Sequence, residues 1–226
     1  MYGDFVMQVD HYVGTVMNKL DELGLSEDTI VIFASDNGPV WFPNNVITYG
    51  HNSVGSLSGM KGDVLEGGHR MPFIVRWPSH VVPGTKNTGL LCFTDIFATM
   101  ADVLEKPLPI DAGGDSVRFY KRLKGEKENE RAPDIHSNGG LLSIIHGNWK
   151  YINGKGPGGF TNGILGKFPD ILPRNEHVGQ LYHLSEDIGE RENLYDQNPE
   201  KVMELSNMLG IYMKAPTRTM ESKSDK

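Results

Sequence analysis

The fold of this chain is decided by an apolar run that ends in polar residues, Thr29-Ile30-Val31-Ile32-Phe33-Ala34-Ser35-Asp36-Asn37-Gly38-Pro39. The β-branched and aromatic side chains of the run show no polar alternation, which predicts a strand buried on both faces in a parallel or mixed α/β sheet. Gly38 and Pro39 then end the strand.

Two polar residues lie where an α/β fold places its chemistry. Ligands of open α/β sheets bind beyond the carboxyl ends of the strands, which is the predicted position of Asp36 and Asn37. Their adjacent oxygen donors suit Ca²⁺ or Mg²⁺ better than a metal that prefers soft ligands. Asp-Asn-Gly is also typical of an ordinary turn, so the tripeptide alone leaves both interpretations open.

Length and composition bound the class of protein. A chain of 226 residues can hold one large domain, or one domain with a smaller appendage. Its 38% hydrophobic and 23% charged residues are typical of a globular protein, and no stretch approaches the about 20 apolar residues of a membrane helix. The net charge of −7 argues against a nucleic-acid partner. The first residues lack the features of a signal peptide, so we expect either a cytoplasmic protein or a chain that begins inside a longer one.

Helical and irregular segments flank the first strand. Apolar residues at three- and four-residue spacing between Phe5 and Leu20 predict an amphipathic helix that packs on the sheet. The segment from Val40 to Gly59 shows little periodicity, and we expect it to form an irregular loop at the wall of a pocket. In this loop His51 either contacts a substrate or caps the loop, and the sequence favours neither role.

A glycine-rich stretch follows, from Gly59 to Gly68. Glycines on both sides of Lys61 leave its ammonium group unobstructed, so this lysine is a candidate for binding an oxyanion. The alternative is a solvated charge, which is the commoner fate of a lone lysine in such a loop. Glu66 and Arg70 are four residues apart, which favours a structural ion pair. A second apolar strand, 73–77, comes next.

The sequence after this strand predicts a helix and a smaller unit. Thr94 is the predicted N-cap of the helix, whose buried face comprises Ile96, Phe97, Met100, Ala101 and Leu104. A charged, glycine-containing stretch then marks a boundary. We therefore expect an α/β domain over 1–115, a small α+β domain over 116–213 and a disordered tail over 214–226. The small domain contains a predicted hairpin (141–146 and 149–152), a loop (153–175), a strand (180–184) and a helix that begins at Pro199.

Taken together, these stretches resemble the sulfatases, the arylsulfatase-like branch of the alkaline phosphatase superfamily. The run 29–39 is similar to the family's strand and metal-binding turn, and 62–77 resembles its second signature stretch, with the core Glu66-Gly67-Gly68-His69-Arg70-Met71-Pro72. The helix 93–104 and the segment 181–194 resemble the elements that follow in this family. The resemblance covers nearly the whole chain, and its elements arrive in family order.

The resemblance implies roles for four residues. Asp36 and Asn37 would be calcium ligands, and Lys61 would contact the sulfate group as a catalytic and substrate-binding residue. His51 would lie in a loop that shapes substrate choice. The implied substrate is a sulfated small molecule or glycan, and relatives of this kind act in the periplasm, outside the cell or in lysosomes.

Other parts of the family's active site are missing from this sequence. The family's nucleophile is a cysteine or serine in Cys/Ser-x-Pro-x-Arg, oxidised to formylglycine, whereas Cys92 is followed by Phe-Thr-Asp. The lone Cys92 has no partner for an internal disulfide and is expected to be a small buried apolar residue. The adjacent aspartates that complete the calcium site are also missing. The resemblance therefore implies the carboxyl-terminal half of a sulfatase, with half of the calcium and sulfate site.

Two alternatives to a sulfate ester hydrolase remain at this point. The first is a non-catalytic, truncated sulfatase-like protein that binds calcium, a sulfated glycan, the missing amino-terminal half or a second copy of itself. The second is a phosphatase or phosphonate hydrolase of the same superfamily, because a lysine and a divalent cation serve either anion.

Overall fold

The computed structural model describes residues 2–109, 111–126, 131, 133–164 and 177–214. Its helices and strands follow in the order α1 (Tyr2–Glu22), β1 (Val31–Ala34), α2 (Pro43–Tyr49), α3 (Glu66–His69), β2 (Phe73–Arg76), α4 (Asp95–Val103), α5 (Tyr120–Leu123), β3 (Asp134–Asn138), β4 (Leu141–His146), β5 (Trp149–Ile152), a 3₁₀ helix (Phe160–Ile164), β6 (Gln180–His183) and α6 (Pro199–Lys214). None of the helices in these ranges is long and apolar enough to cross a membrane.

The strands form two antiparallel sheets. β1 pairs with β2, with Val31 opposite Arg76 and Ala34 opposite Phe73. β3, β4, β5 and β6 form a four-stranded sheet in sequence order. The predicted fold class is confirmed: a mixed α/β chain whose carboxyl-terminal part combines an antiparallel sheet with a terminal helix.

The surroundings of the first strand and first helix differ from the prediction. Every residue of β1 is half-buried rather than buried on both faces, because its partner among the described residues is the single antiparallel strand β2. In α1 no residue is buried, and Phe5, Met7 and Tyr12 are 67%, 72% and 58% exposed. The apolar pattern of a segment predicts whether it forms a helix or a strand, but it does not predict which residues pack against that element.

The chain divides into two compact units. The smaller unit contains the described residues within Met1–Ala34, Pro72–Thr88 and Phe119–Glu128. In this unit the buried Trp77 stacks on His80, with 4.0 Å between ring centroids, and lies 6.1 Å from Tyr120. The predicted domain boundary at 115 stays a prediction.

The larger unit contains the described residues within 35–71, 89–118 and 129–226, and its core lies on the two faces of the four-stranded sheet. Neighbouring residues of a strand point to opposite faces. One face accordingly carries Ile145, Ile152 and Tyr182 against Val64, Leu65 and Leu184. The other face carries Ile144, Tyr151 and Leu181 against Leu205 and Leu209 of α6. The predicted hairpin, the strand at 180–184 and the helix from Pro199 are confirmed.

Helix α4 buries a different face from the predicted one. Its buried residues are Asp95, Ala98 and Thr99, whereas Phe97 is 49% exposed and Leu104 66%. Thr94 stands at the N-cap position, as predicted, but it has helical dihedral angles and its side chain makes no capping hydrogen bond. The Asp95 carboxylate binds the segment that precedes the helix, because its Oδ2 accepts a hydrogen bond from the backbone N–H of Cys92 at 2.9 Å.

The long loop after Pro39 is more ordered than the sequence predicts. It contains α2, which ends at Gly50 in the left-handed conformation with φ of 62°. Two other predictions lie partly outside the described residues, namely the loop 153–175 from residue 165 onward and the tail after Lys214.

Candidate functional site

The turn after β1 is held by its backbone. Asp36 is exposed, Asn37 is half-buried and Gly38 is buried. The N–H of Gly38 donates to the carbonyl of Gly68 at 2.9 Å. A Cβ atom at Gly38 would lie 1.9 Å from the carbonyl oxygen of Gly67, so only glycine fits there. The turn therefore presents the Asp36 carboxylate and the Asn37 amide from a fixed base.

The Lys61 turn is fixed in a similar way. Gly59 and Gly62, on either side of the exposed Lys61, have φ of 84° and 82°, which favours glycine at both positions. The buried carboxylate of Asp63 accepts hydrogen bonds from the Met60 N–H at 2.7 Å and from the hydroxyl and N–H of Thr161. Burial raises the pKa of Asp63, and these hydrogen bonds oppose the rise. The backbone of the turn is rigid, while the Lys61 ammonium stays in solvent.

Backbone hydrogen bonds bring the two predicted site segments together. The Lys61 N–H donates to the Pro39 carbonyl at 2.9 Å, and the Gly38 N–H donates to Gly68 in the segment after Lys61. The structure therefore places the turn that carries Asp36 and Asn37 beside the turn that carries Lys61. The catalytic and metal-binding roles of these residues stay predictions.

His51 lies on the loop that connects these two turns. Its carbonyl accepts a hydrogen bond from the indole Nε1 of Trp41 at 2.6 Å, and its ring lies edge-on to Trp41 with 5.8 Å between centroids. Trp41 is buried and Tyr49 lies 5.9 Å from it, 68% exposed. This contact fixes the His51 backbone, and the contacts of the described residues do not join its imidazole to Lys61 or Asp36.

A network of buried charges lies next to the two turns, and of its contacts only the pair of Glu66 and Arg70 was predicted from the sequence. Lys150, on β5, is completely buried, with its Nζ 2.9 Å from Glu66 Oε1 and 2.8 Å from Glu190 Oε1. The Glu66 N–H donates to Glu190 Oε2 at 2.6 Å. Arg70 Nε lies 2.7 Å from Glu66 Oε2, which confirms the predicted pair. Lys150 Nζ also donates to His69 Nε2 at 3.1 Å.

The protonation of this network follows from burial and charge together. Burial opposes ionisation of Glu66, yet the charges around it, with Lys150 the strongest, lower its pKa to about 2. Burial and then Lys150 lower the pKa of His69 to about 2, so its ring is neutral at pH 7. Burial raises the pKa of Glu190 to about 7 against the opposing effect of Lys150.

The network continues toward α4. The rings of His69 and His136 stack with 3.8 Å between centroids, and His136 Nε2 lies 3.5 Å from Asp134 Oδ2. Burial lowers the pKa of His136. Arg131 binds Asp95 through two hydrogen bonds, Nε to Oδ2 at 2.8 Å and Nη2 to Oδ1 at 3.0 Å. The buried charges of this network are therefore paired, as burial of ions requires.

The residues near the turns fit a calcium ion in type but do not complete a site. Calcium takes about six to eight oxygen ligands, which include carboxylates and amide carbonyls. Asp36 and Asn37 supply one of each. No group of three or more His, Cys, Asp or Glu side chains in the described ranges could hold a metal ion.

Comparison with known proteins identifies the relatives of this chain. The profile of the sulfatase family matches residues 1–106. An N-acetylgalactosamine-6-O-sulfatase of Bacteroides thetaiotaomicron is 39% identical over 216 residues, which are 92% of this chain and 40% of that protein. Human arylsulfatase A is 38% identical over 112 residues, which are 48% of this chain and 20% of that protein.

A solved structure shares the fold as well. It was determined in a study of glycosaminoglycan metabolism by Bacteroides thetaiotaomicron, is 38% identical, and superposes with a TM-score of 0.80 over 94% of this chain and 44% of its own. This chain thus spans less than half the length of these relatives. Because similarity in sequence and in fold extends over almost all of its residues, the chain belongs to the sulfatase family, to whose carboxyl-terminal part it corresponds.

Proposed function

We propose that this chain is the carboxyl-terminal portion of a hydrolase of sulfate monoesters and carries half of its calcium and sulfate site. The observation that supports this most is the pair of backbone hydrogen bonds at Gly38 and Lys61. They set two oxygen donors and a free ammonium group on adjacent rigid turns. A cation and a lysine side by side provide the positive charge that a sulfate group and its leaving oxygen need.

Each residue has a distinct part in this proposal. Asp36 and Asn37 would hold Ca²⁺, which supplies positive charge to the sulfate oxygens when bound. The Lys61 ammonium binds another sulfate oxygen and stabilises the negative charge that develops there. The rigid base of each turn keeps these groups in place, so little reorganisation is needed during the reaction.

The nucleophile has to come from outside this chain. The sequence contains no Cys/Ser-x-Pro-x-Arg motif, and a lysine with a cation stabilises charge but does not attack sulfur. We therefore expect no turnover from the chain alone and turnover once an amino-terminal sulfatase segment is present.

The substrate proposed here is a sulfated sugar. The closely matching relative from Bacteroides thetaiotaomicron is named as an N-acetylgalactosamine-6-O-sulfatase. The loop between the two turns exposes His51 and the ring of Tyr49, which is 68% exposed, and aromatic and imidazole groups of this kind suit the face and hydroxyl groups of a sugar. We assign the sugar contact to this loop and the sulfate contact to Lys61.

A complementation experiment tests the activity. The chain is co-expressed with the amino-terminal segment of the Bacteroides thetaiotaomicron relative, and release of sulfate from 6-sulfated N-acetylgalactosamine and from an aryl sulfate is measured. We expect activity that Lys61→Ala lowers by at least about a hundredfold, as for loss of one group that stabilises developing charge. Lys155→Ala, at an exposed lysine distant in sequence, is the matched control. Faster release of phosphate from an aryl phosphate would replace this proposal by the phosphatase alternative.

A second function, association without catalysis, is favoured by the surface of α1. Phe5, Tyr12 and Val16 are each at least 56% exposed, and their spacing places them on one side of this helix. Contiguous apolar surface of this kind marks an interaction site or an aggregation hazard. We propose that either an amino-terminal sulfatase segment or a second copy of the chain covers it.

A further inference from the structure

We propose that Lys150 is a positioning residue for the calcium and sulfate turns. It lies on β5 of the four-stranded sheet, and it acts on Asp36, Asn37 and Lys61 through the backbone of α3. This inference rests on the proposed function, because it assigns an effect on the same site, but its structural part is measurable without any ligand.

Lys150 contacts the first residue of α3 directly and through Glu190. Its ammonium lies 2.9 Å from Glu66 Oε1 and 2.8 Å from Glu190 Oε1. Glu190 in turn accepts the backbone N–H of Glu66 through its other oxygen at 2.6 Å. Both the side chain and the backbone of Glu66, the first residue of α3, are therefore fixed by the same pair of buried charges.

Helix α3 packs on the Lys61 turn through its two glycines. A Cβ atom at Gly67 would lie 2.6 Å from the carbonyl oxygens of Ser58 and Gly59, and one at Gly68 would lie 2.1 Å from the carbonyl of Asp63. The Gly67 N–H donates to the Ser58 carbonyl at 2.7 Å. The backbone of α3 thus packs directly on the backbone of the Lys61 turn, with no side chain between them.

The same two glycines support the other turn. Gly68 accepts the Gly38 N–H, and Gly67 leaves no space for a side chain at Gly38. Backbone packed on backbone has no flexible side chain to absorb a displacement. A shift of α3 therefore moves both turns, and Lys150 sets the position of α3.

A second contact joins the loop that carries Glu190 to the Lys61 turn. The buried hydroxyl of Ser58 donates to the Gly189 carbonyl at 2.6 Å, one residue before Glu190. Glu190 and its neighbour therefore hold α3 and the Lys61 turn at once. An isolated buried ion pair would have no such contacts with functional turns.

Amide hydrogen exchange of the full chain tests this inference. In Lys150→Met, we expect protection of the Gly38 and Lys61 amides to fall about tenfold more than that of the β4 amides, a coupling in the range found between linked sites. Asp95→Asn is the matched control, because it breaks another buried ion pair of the same unit and Asp95 contacts Cys92, Val117 and Arg131. In this control protection falls equally at Gly38, Lys61 and β4.

A milder variant keeps the test decisive if Lys150→Met does not fold. Glu190→Gln retains an acceptor for the Glu66 N–H and weakens only the contact with Lys150. We expect the same selective loss of protection at Gly38 and Lys61. A loss spread evenly over the unit in the folded variants would show that Lys150 is only structural and would overturn the inference.

Calcium titration separates this inference from the proposed function. Ca²⁺ is added to the wild-type chain and the Asn37 side-chain amide is followed by NMR, with an expected increase in apparent Kd of about tenfold in the folded positioning variant. If the wild-type amide does not respond to Ca²⁺, the calcium assignment fails. The exchange result then still decides whether Lys150 positions the two turns.

Discussion

Gly38 is the residue whose replacement the structure forbids most clearly. A Cβ atom there would lie 1.9 Å from the Gly67 carbonyl oxygen, so alanine must push the turn away from α3. We expect Gly38→Ala to lower the free energy of unfolding by about 1–3 kcal/mol, which is typical of overpacking. Urea denaturation measures the change.

The control for this substitution lies in α6. A Cβ atom at Gly210 would contact nothing within 4 Å, and alanine is the better helix former by about 1 kcal/mol. Gly210→Ala should therefore leave stability unchanged or increase it. An equal loss in both variants would show that Gly38 is not tightly packed.

Glu190 links stability to pH. Its pKa in the folded chain is about 7, raised from an ordinary value of 4.5. Between these pH values the folded chain binds more protons than the unfolded chain, so the contribution of Glu190 to stability falls as pH rises. Glu190→Gln removes this loss, and the stability of the variant relative to wild type should rise by about 3 kcal/mol from pH 4.5 to 7.

His69 and Glu66 act in the opposite direction. Both have a pKa lowered to about 2 in the folded chain, so the unfolded chain binds more protons at acid pH and stability falls as pH decreases. Between about pH 4.5 and 6.5 His69 offsets Glu190, and the lowered pKa of His136 adds to the effect of His69. Wild-type stability should therefore decrease as pH falls from about 6.5 to 4.5, and more steeply below about pH 4.5, where Glu66 adds to the loss and Glu190 no longer opposes it. Thermal melts from pH 3 to 8 measure this decrease. A stability that increases as pH falls below 4.5 would contradict it.

At the scale of elements, α4 shows a charge that overrides a hydrophobic pattern. Asp95 binds the buried Arg131, whereas Asp102 pairs with Arg118 at the surface. We expect Asp95→Asn to cost about 3–5 kcal/mol and Asp102→Asn at most about 1 kcal/mol. Chemical denaturation of the two variants compares them directly, and similar costs would mean that the buried pair is not required for the fold.

The elements that could be read from the sequence are those with a strong local signal. The hairpin of β4 and β5 consists of two largely apolar runs separated by Gly147-Asn148, and Pro199 marks the start of α6. The face of α4 could not be read, because it depends on Arg131, 36 residues away from Asp95. Long-range ion pairs leave no periodic pattern.

The candidate site shows the same division. Asp36, Asn37 and Lys61 stand in short polar or glycine-rich stretches that can be recognised, whereas Lys150 stands between Trp149 and Tyr151 in a strand. The one signal for Lys150 is its position in the strand, where the alternation of side chains points it toward the core. Its partners lie 84 residues away in Glu66 and 40 residues away in Glu190, beyond any local pattern.

At the scale of the whole molecule, the exposed face of α1 governs association. Phe5 and Tyr12 are 67% and 58% exposed on one side of the helix, so we expect the isolated chain to self-associate. Sedimentation velocity should show species larger than 25.1 kDa that increase with concentration, and the variant Phe5→Lys/Tyr12→Lys should shift the distribution toward monomer. Asn18→Lys, at an exposed polar position on the opposite side of the same helix, is the control. A monodisperse wild-type monomer with cooperative melting would contradict this prediction.

The hydrogen bond from the Glu66 N–H to the Glu190 carboxylate has a consequence for biosynthesis. These residues are 124 positions apart, and Ser58 and Gly189 are 131 positions apart. While the chain is still on the ribosome, Asp36, Asn37 and Lys61 emerge long before the loop that fixes α3. The two turns can therefore reach their final arrangement only after residue 190 has been translated, and a nascent chain that stops before residue 189 carries the site residues without that arrangement.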